Sequence, residues 1–225
     1  MFLYLLLDFY VMSETILTIA AHNDDQIIGA GGTLAKYAAE GKRIRTVIMS
    51  YGESSHPHLK REVIVKTRIG ESFRADKILG GKGVVYLDLK EGSFPQQFHD
   101  LGIEDKLLDI IRREKPVMIF THGIDDFHPD HKAIYKLIDR MISEGKISCP
   151  VYSFDVWSVL RFRRRNDPRM VVDVSSTFTQ KVKSLLAHES QKVAIGMLLW
   201  KMILKDWFNG LVYGHRYAEV FYRLK

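Results

Sequence analysis

Two short stretches of this 225-residue sequence carry residues capable of chemistry. The first runs Ala20-Ala21-His22-Asn23-Asp24-Asp25-Gln26, and the second, about a hundred residues later, is His128-Pro129-Asp130-His131. Imidazoles and carboxylates bind divalent metal ions. Pro129 suits the first position of a helix, where its missing N–H is an orphan in any case, and Asp130 then sits in a first turn that favours negative charge. His128 and His131, three apart, lie on roughly one side of that helix start; the same spacing also suits two surface histidines around a cap. His22 and Asp25 are three apart across a turn. Adjacent carboxylates usually diverge, so one of Asp24 and Asp25 reads as a ligand and the other as a neighbour of the metal's water. Two neutral imidazoles and one carboxylate leave a divalent ion with net positive charge and an open position, as in catalytic zinc sites.

The elements around these stretches place them together. An apolar, β-branched run (15–19) precedes the first, and Gly29-Ala30-Gly31-Gly32-Thr33 follows it, reading as strand, tight turn and helix. Another apolar run (117–120) precedes the second. Ligands of open α/β sheets collect beyond the carboxyl ends of strands, so the two loops can meet at one ion. Strands are expected at 15–21, 44–50, 84–87, 117–120, 151–156, 170–174 and 218–222. Helices are expected at 33–40, 59–79, 103–114, 129–143 and 177–188, the last with a possible continuation to 204. Strands separated by helices imply parallel pairing with right-handed crossovers. The fold class is therefore α/β: a three-layer α/β/α, Rossmann-like domain over 13–225 with a mostly parallel sheet. Gly29-x-Gly31-Gly32 departs from the G-x-G-x-x-G dinucleotide spacing and follows a charged turn, which sets a nicotinamide cofactor aside.

Composition narrows the partners. The chain is 46% apolar and 27% charged, ordinary for a globular protein long enough to bury a core. The net charge of +6 comes from 33 basic minus 27 acidic residues spread along the chain, and the one dense run, Arg161 to Arg165, reads as a solvated loop, so no nucleic-acid partner is expected. A single cysteine, Cys149, excludes an intrachain disulfide and fits a reducing cytoplasm. Residues 1–12 form an apolar extension interrupted by Asp8, too short to span a bilayer and without a basic leader. It reads as an extra strand, an oligomer contact, or sequence before a true start at Met12. The Trp- and Met-rich stretch 197–208 reads as core or subunit contact, with a lipid-facing surface as the other reading.

Taken together, Ala21-His22-Asn23-Asp24-Asp25-Gln26 resembles the A-H-P-D-D-E signature of the LmbE-like, or PIG-L, N-deacetylases. The resemblance continues through Ile28 to Ala35, Arg68-x-x-Glu71, Ala75, Leu79-Gly80, Thr121-His122, His131-Lys132-Ala133, Lys183, Ala187-His188-Glu189-Ser190-Gln191 and Tyr217 to Phe221. It implies a zinc-dependent hydrolase that removes acetyl from an N-acetylglucosamine unit, with iron also suited to such ligands, and relatives that form homo-oligomers. By motif, His22, Asp25 and His131 correspond to metal ligands, Asp24 to the general base, His128 to the group stabilising the oxyanion, and Asp130 to the residue orienting it. Arg68 corresponds to a substrate-binding arginine; at helical spacing a salt bridge with Glu71 is its plainer reading. Gln26 in place of the usual Glu loses a charge near the site, and Asn23 in place of Pro loosens the turn. His188 receives no role, and His56 and His58 read as exposed loop residues.

The chemistry these roles imply is amide hydrolysis. Asp24 takes a proton from water and returns it to the departing amine, while His128 offsets charge on the oxyanion, a donor whose loss typically lowers the rate ~10²–10³-fold. The alternatives are an amidase acting on another N-acyl sugar conjugate or a glycolipid, and a non-catalytic sugar-binding relative. The last has no need of a water-activating base.

Overall fold

The computed structural model describes residues 13–53, 60–157 and 168–225. Residues 1–12, His56, His58 and the Arg161 to Arg165 run lie outside them. Seven strands form one sheet in the order β3-β2-β1-β4-β5-β7-β6. The first five, β1 (Thr15–Ala20), β2 (Arg43–Ile48), β3 (Val84–Tyr86), β4 (Met118–His122) and β5 (Val151–Phe154), pair in parallel. The last, β7 (Ala218–Arg223), inserts antiparallel between β5 and β6 (Arg169–Asp173). All six residues of β1 are buried, as expected for the centre of a sheet covered on both faces.

Two apolar cores make the three layers. On one face α1 (Asp25–Ala39), α2 (Arg61–Leu79), α6 (Phe178–Leu186) and α7 (Lys192–Tyr213) pack around Phe120, Phe154 and Phe221. On the other, α3 (Phe94–Asp100), α4 (Ile103–Glu114) and α5 (Pro129–Ser143) pack around Leu17, Ile19 and Ile119. The short α3 is not expected from the sequence, where 88–95 reads as loop. The long helix expected after Thr177 stops at Leu186, and a 3₁₀ turn (Glu189–Gln191) redirects the chain into α7.

Helix α1 begins at Asp25, eight residues before the expected 33, and absorbs the whole glycine run. Glycine is a poor helix former, but here it permits close approach. A Cβ on Gly29 would lie 2.2 Å from Phe154 Cδ2, and one on Gly32 2.7 Å from Val174 Cβ. The helix is then pinned from the far end of the chain. Glu219 of β7 accepts from Gly32 N at 2.9 Å and Thr33 N at 2.8 Å, and pairs with buried Lys181, which also meets buried Asp206. Lys183, picked out by the family resemblance, is exposed.

Helix α7 buries Ile195, Leu198 and Met202 and leaves another apolar row outside. Val193, Met197, Trp200, Leu204, Trp207 and Leu211 repeat at spacings of 4, 3, 4, 3 and 4, each 46–81% exposed. Among the described residues no helix is long and apolar enough to cross a membrane.

Candidate metal centre and active site

The sheet order reverses direction of travel between β1 and β4: β2 lies on one side of β1 and β4 on the other. Such switch points open a crevice at the carboxyl ends of the strands. The register Thr18↔Phe120 sets the ends of β1 and β4 level, and Ala21 N donates to His122 Nε2 at 3.0 Å across the gap. The turn after β1 and the start of α5 therefore face each other although a hundred residues separate them.

In that crevice three donor atoms form a nearly equilateral triangle. His22 Nδ1 and His131 Nε2 each lie 3.2 Å from Asp25 Oδ2 and 3.3 Å from each other. Tetrahedral zinc with bonds of ~2.0–2.1 Å requires ligand–ligand edges of ~3.3–3.4 Å, so the donor set fits such an ion in both chemistry and spacing. Asp25 is the first residue of α1, its carboxylate favoured by the helix dipole and steadied by His22 N, which donates to Oδ2 at 2.8 Å. Burial opposes its charge, yet His131 and His22 hold its pKa well below the usual carboxylate range. Burial likewise opposes charge on the two imidazoles, but Asp25, with Asp130 and Glu91 beyond it, raises His22 to about 10, and Asp25 with Asp126 raises His131 to about 9.

Two neighbouring triads share these histidines: His22 with His128 and Asp130, and His122 with Asp126 and His131. One nitrogen of each added histidine is already engaged. His128 caps α5, its Nδ1 accepting from Asp130 N at 3.2 Å. His122 Nε2 accepts from Ala21 N, so its 3.5 Å approach to Asp25 is no ion pair; burial and the His131 charge push its pKa down to about 4. His122 instead stacks on His131, with ring centroids 3.9 Å apart.

Asp130, expected to orient His128, touches it through its backbone N–H and not through its carboxylate. That carboxylate accepts from Gly92 N at 3.1 and 3.0 Å and lies 3.5 Å from His22 Nε2. With Nδ1 accepting, His128 is a neutral imidazole carrying its proton on Nε2, in keeping with a pKa lowered by burial and by His131 and His22. Asp24, the N-cap of α1, makes no side-chain capping bond. Beside His128 a cavity of about 410 Å³ is lined by Phe127, Pro129 and Trp157; a larger one, about 520 Å³, sits among α3, α4 and α5 and contains none of the ligand or base residues.

The GlcNAc-PI de-N-acetylase (PIG-L) family model matches residues 17–142, more than half the chain and both loops of this centre. The chain belongs to the PIG-L family. It is 26% identical over 220 residues to the diacetylchitobiose deacetylase of Thermococcus kodakarensis, covering 92% of this chain and 81% of that one. The fold matches the N,N'-diacetylchitobiose deacetylase structure from Pyrococcus horikoshii with a TM-score of 0.78, at 22% identity over 94% of this chain and 84% of that one. It matches GalB, the 4-carboxy-2-hydroxymuconate hydratase of Pseudomonas putida, nearly as well: TM-score 0.77, 20% identity, 94% and 96% covered. At such identities these structures show the fold alone.

Around this PIG-L centre the structure adds residues that sequence reasoning missed. Asp126 Oδ1 lies 3.0 Å from His131 Nδ1, while its Oδ2 accepts from Val156 N at 2.9 Å. A carboxylate behind a ligating imidazole fixes the ring and raises its basicity. Only its place two residues before His128, the first of the histidine pair, could have suggested it. Asn23 does not loosen the turn: it is buried and donates to Tyr51 O at 2.9 Å, and Gln26 donates to Asn23 O at 3.0 Å. Arg68 makes no salt bridge with Glu71 among the described residues. Its Nε donates to the same Tyr51 O at 3.3 Å, while Glu71 accepts from Ser190 N and Oγ at 2.6 and 2.8 Å.

Proposed function

We propose that this protein is a metal-dependent N-deacetylase acting on a sugar that contains N-acetylglucosamine. The reading rests above all on the triangle His22 Nδ1, Asp25 Oδ2 and His131 Nε2, placed at the sheet's switch point beside an acid, Asp24, that is not spent on the triangle. His22, Asp25 and His131 would hold the ion, with zinc or iron(II) the metals that suit two imidazoles and a carboxylate. When bound, it supplies Lewis acidity, polarising the amide carbonyl and acidifying water. Asp24 takes one proton from the attacking water. As the C–N bond breaks, Asp24 returns that proton to the nitrogen, so acetate and a free amine leave. His128, its Nδ1 taken by the Asp130 backbone N–H, is left with Nε2–H to donate to the oxygen that gains negative charge.

The names of the relatives above support acetylated amino sugars as the substrate class. A glycolipid is the second reading, favoured by one observation: the aromatic rim at Phe127 and Trp157 adjoins the α7 row, with Lys201 Nζ 5.8 Å from the Trp157 ring and 5.9 Å from that of Trp200. The same row supports self-association as a homo-oligomer, and we place the enzyme in the cytoplasm on its cysteine usage.

Elemental analysis and acetate release on N-acetylglucosamine, its dimer and an acetylated glycolipid test the reading together. About one divalent ion per chain and stoichiometric acetate are expected, and product without acetate would point to water addition, as in a hydratase. Two variants then assign the neighbouring acids. Asp25→Ala should lose ion and activity together. Asp24→Asn should keep the ion while its rate falls ~10²–10⁴-fold; loss of the ion from Asp24→Asn alone would reverse the two roles.

A further inference from the structure

Beside the oxyanion donor the structure exposes apolar surface that acetyl removal leaves unused. Phe127 is 71% exposed and Trp157 42%, and with His128 and Pro129 they line the cavity of about 410 Å³. Its walls are built into the centre. Asp126 Oδ1 accepts from His128 N at 3.2 Å, and its Oδ2 accepts from Val156 N at 2.9 Å and Trp157 N at 3.4 Å. One buried carboxylate thus joins the Phe127 wall to the Trp157 wall and also stands behind His131. Lys205 Nζ, donating to Asp155 O at 2.6 Å, ties α7 to the same loop. Cations stand over both rings, Lys132 Nζ 6.0 Å from Phe127 and Lys201 Nζ 5.8 Å from Trp157, contacts that favour one placement of each aromatic.

We infer that this groove is an acyl-chain subsite, and that the enzyme also removes N-acyl groups longer than acetyl, up to about hexanoyl, from an amino sugar. Size is the first ground. A methyl group takes about the ~30 Å³ of one water molecule, so acetyl leaves nearly all of the groove empty, and pockets of ~300–1,000 Å³ ordinarily hold whole small ligands. The lining selects hydrocarbon. Among the described lining residues only His128 and the Trp157 indole N–H can hydrogen-bond, and His128 Nδ1 is taken by Asp130 N. Two donors and no acceptor remain, so the hydroxyl protons of a second sugar find no side-chain partner there. Position selects the acyl side over a lipid aglycone. An acyl chain begins one bond from the carbonyl carbon whose oxygen meets His128, whereas the glycosidic oxygen lies three bonds beyond the nitrogen. The reaction is unchanged by chain length: the water oxygen bonds to the acyl carbon, the C–N bond breaks, and both water hydrogens end on nitrogen. A carboxylate and an ammonium leave. The inference rests on the deacetylase reading.

A chain-length series tests it. Metal-replete wild type, Trp157→Ala and Phe127→Ala are assayed for free amine on the methyl glycosides of N-acetyl-, N-butanoyl- and N-hexanoylglucosamine, with metal content and Tm measured alongside. Full burial of one methylene is worth ~4-fold, and a groove open to solvent buries it in part. Wild-type kcat/KM should therefore rise ~2–4-fold per methylene, at least ~15-fold from acetyl to hexanoyl. The gain should lie in KM with kcat nearly constant, because the chain binds alike in the ground and transition states. In each variant the hexanoyl-to-acetyl ratio should fall below ~5-fold. Calorimetric binding of the same amides in an Asp24→Asn background reads the ratio without turnover and should give the same pattern. Wild-type rates that stay level or fall with chain length, or a ratio that survives in both variants, would overturn the subsite. Aromatics with a purely structural role would lower Tm or metal content and slow all three amides alike, again leaving the ratio in place. Octyl and methyl N-acetylglucosaminides form the other arm. An octyl preference that the variants erase while sparing the acyl series would give the groove to an aglycone and refute the inference. Absence of amine from every amide would instead remove the deacetylase reading, and this inference with it.

Discussion

In the metal-free protein Asp25 and the carboxylates around it outweigh burial and keep His22 and His131 protonated to alkaline pH, and this sets two measurable behaviours. Both pKa values, about 10 and about 9, lie above the ~6.5 of a free imidazole. In the metal-free protein their contribution to stability is therefore complete below pH ~6.5 and is lost as pH rises through 9 and 10. The Tm of the metal-free protein should fall across that interval, while the metal-loaded protein, whose ligands carry no titrating proton, should not follow it; a rising metal-free Tm would contradict the protonated pair. Asp126 offers a second test. Asp126→Asn should weaken metal binding ~10–100-fold through His131, as read by chelator competition, and unchanged affinity would show that His131 is held by its stacking on His122 alone. Residue types and spacing singled out the two loops as one group, and the family resemblance, not spacing, assigned His22, Asp25 and His131 within them. Asp126 and His122 were not legible in that way, because their meaning lies in partners that only the folded chain supplies.

At the level of elements, the strands and most helices follow from apolar runs and their separation, and the exceptions have physical causes. Propensity argues against a helix through Gly29, Gly31 and Gly32, but close packing on Phe154 and Val174, with Glu219 on two backbone amides, overrides it. No local pattern could reveal a partner 187 residues away. Lys181, Asp206 and Glu219 form a buried network in which one cation faces two carboxylates, and Asp206, raised to about 6 by burial, shows how closely its charges are balanced. Removing the cation should leave both acids uncompensated. Lys181→Met is expected to destabilise the fold by ~3–5 kcal/mol in denaturant titration. A loss below ~1 kcal/mol would mean that the network relaxes without strain.

For the whole molecule, the outer row of α7 is the feature that sequence left open between core and contact, and the structure splits that stretch: Met202 is buried while Met197, Trp200 and Trp207 face outward. At about 60% exposure and ~200 Å² per large side chain, six residues present roughly 700 Å². Monomers seldom expose more than ~300–600 Å² in one patch, and a stable interface needs ~800 Å² per partner. The self-association proposed above predicts that the protein sediments above its monomer mass and that replacing Leu204 and Trp207 with Glu returns it to a monomer with the metal retained; a wild type that sediments as a monomer, or a variant assembly unchanged, would contradict this contact. The topology of β7 bears on how the protein is made. Every ligand of the candidate metal centre has been synthesised by residue 131, yet β7 arrives almost ninety residues later and enters between β5 and β6, both already synthesised. Because chains emerge from the ribosome N-terminus first, at ~5–20 residues per second, β5 must wait several seconds with one edge open. During that wait Glu219 is absent from α1, so the helix bearing Asp25 lacks its anchor on Gly32 and Thr33 although it is the first helix to be translated.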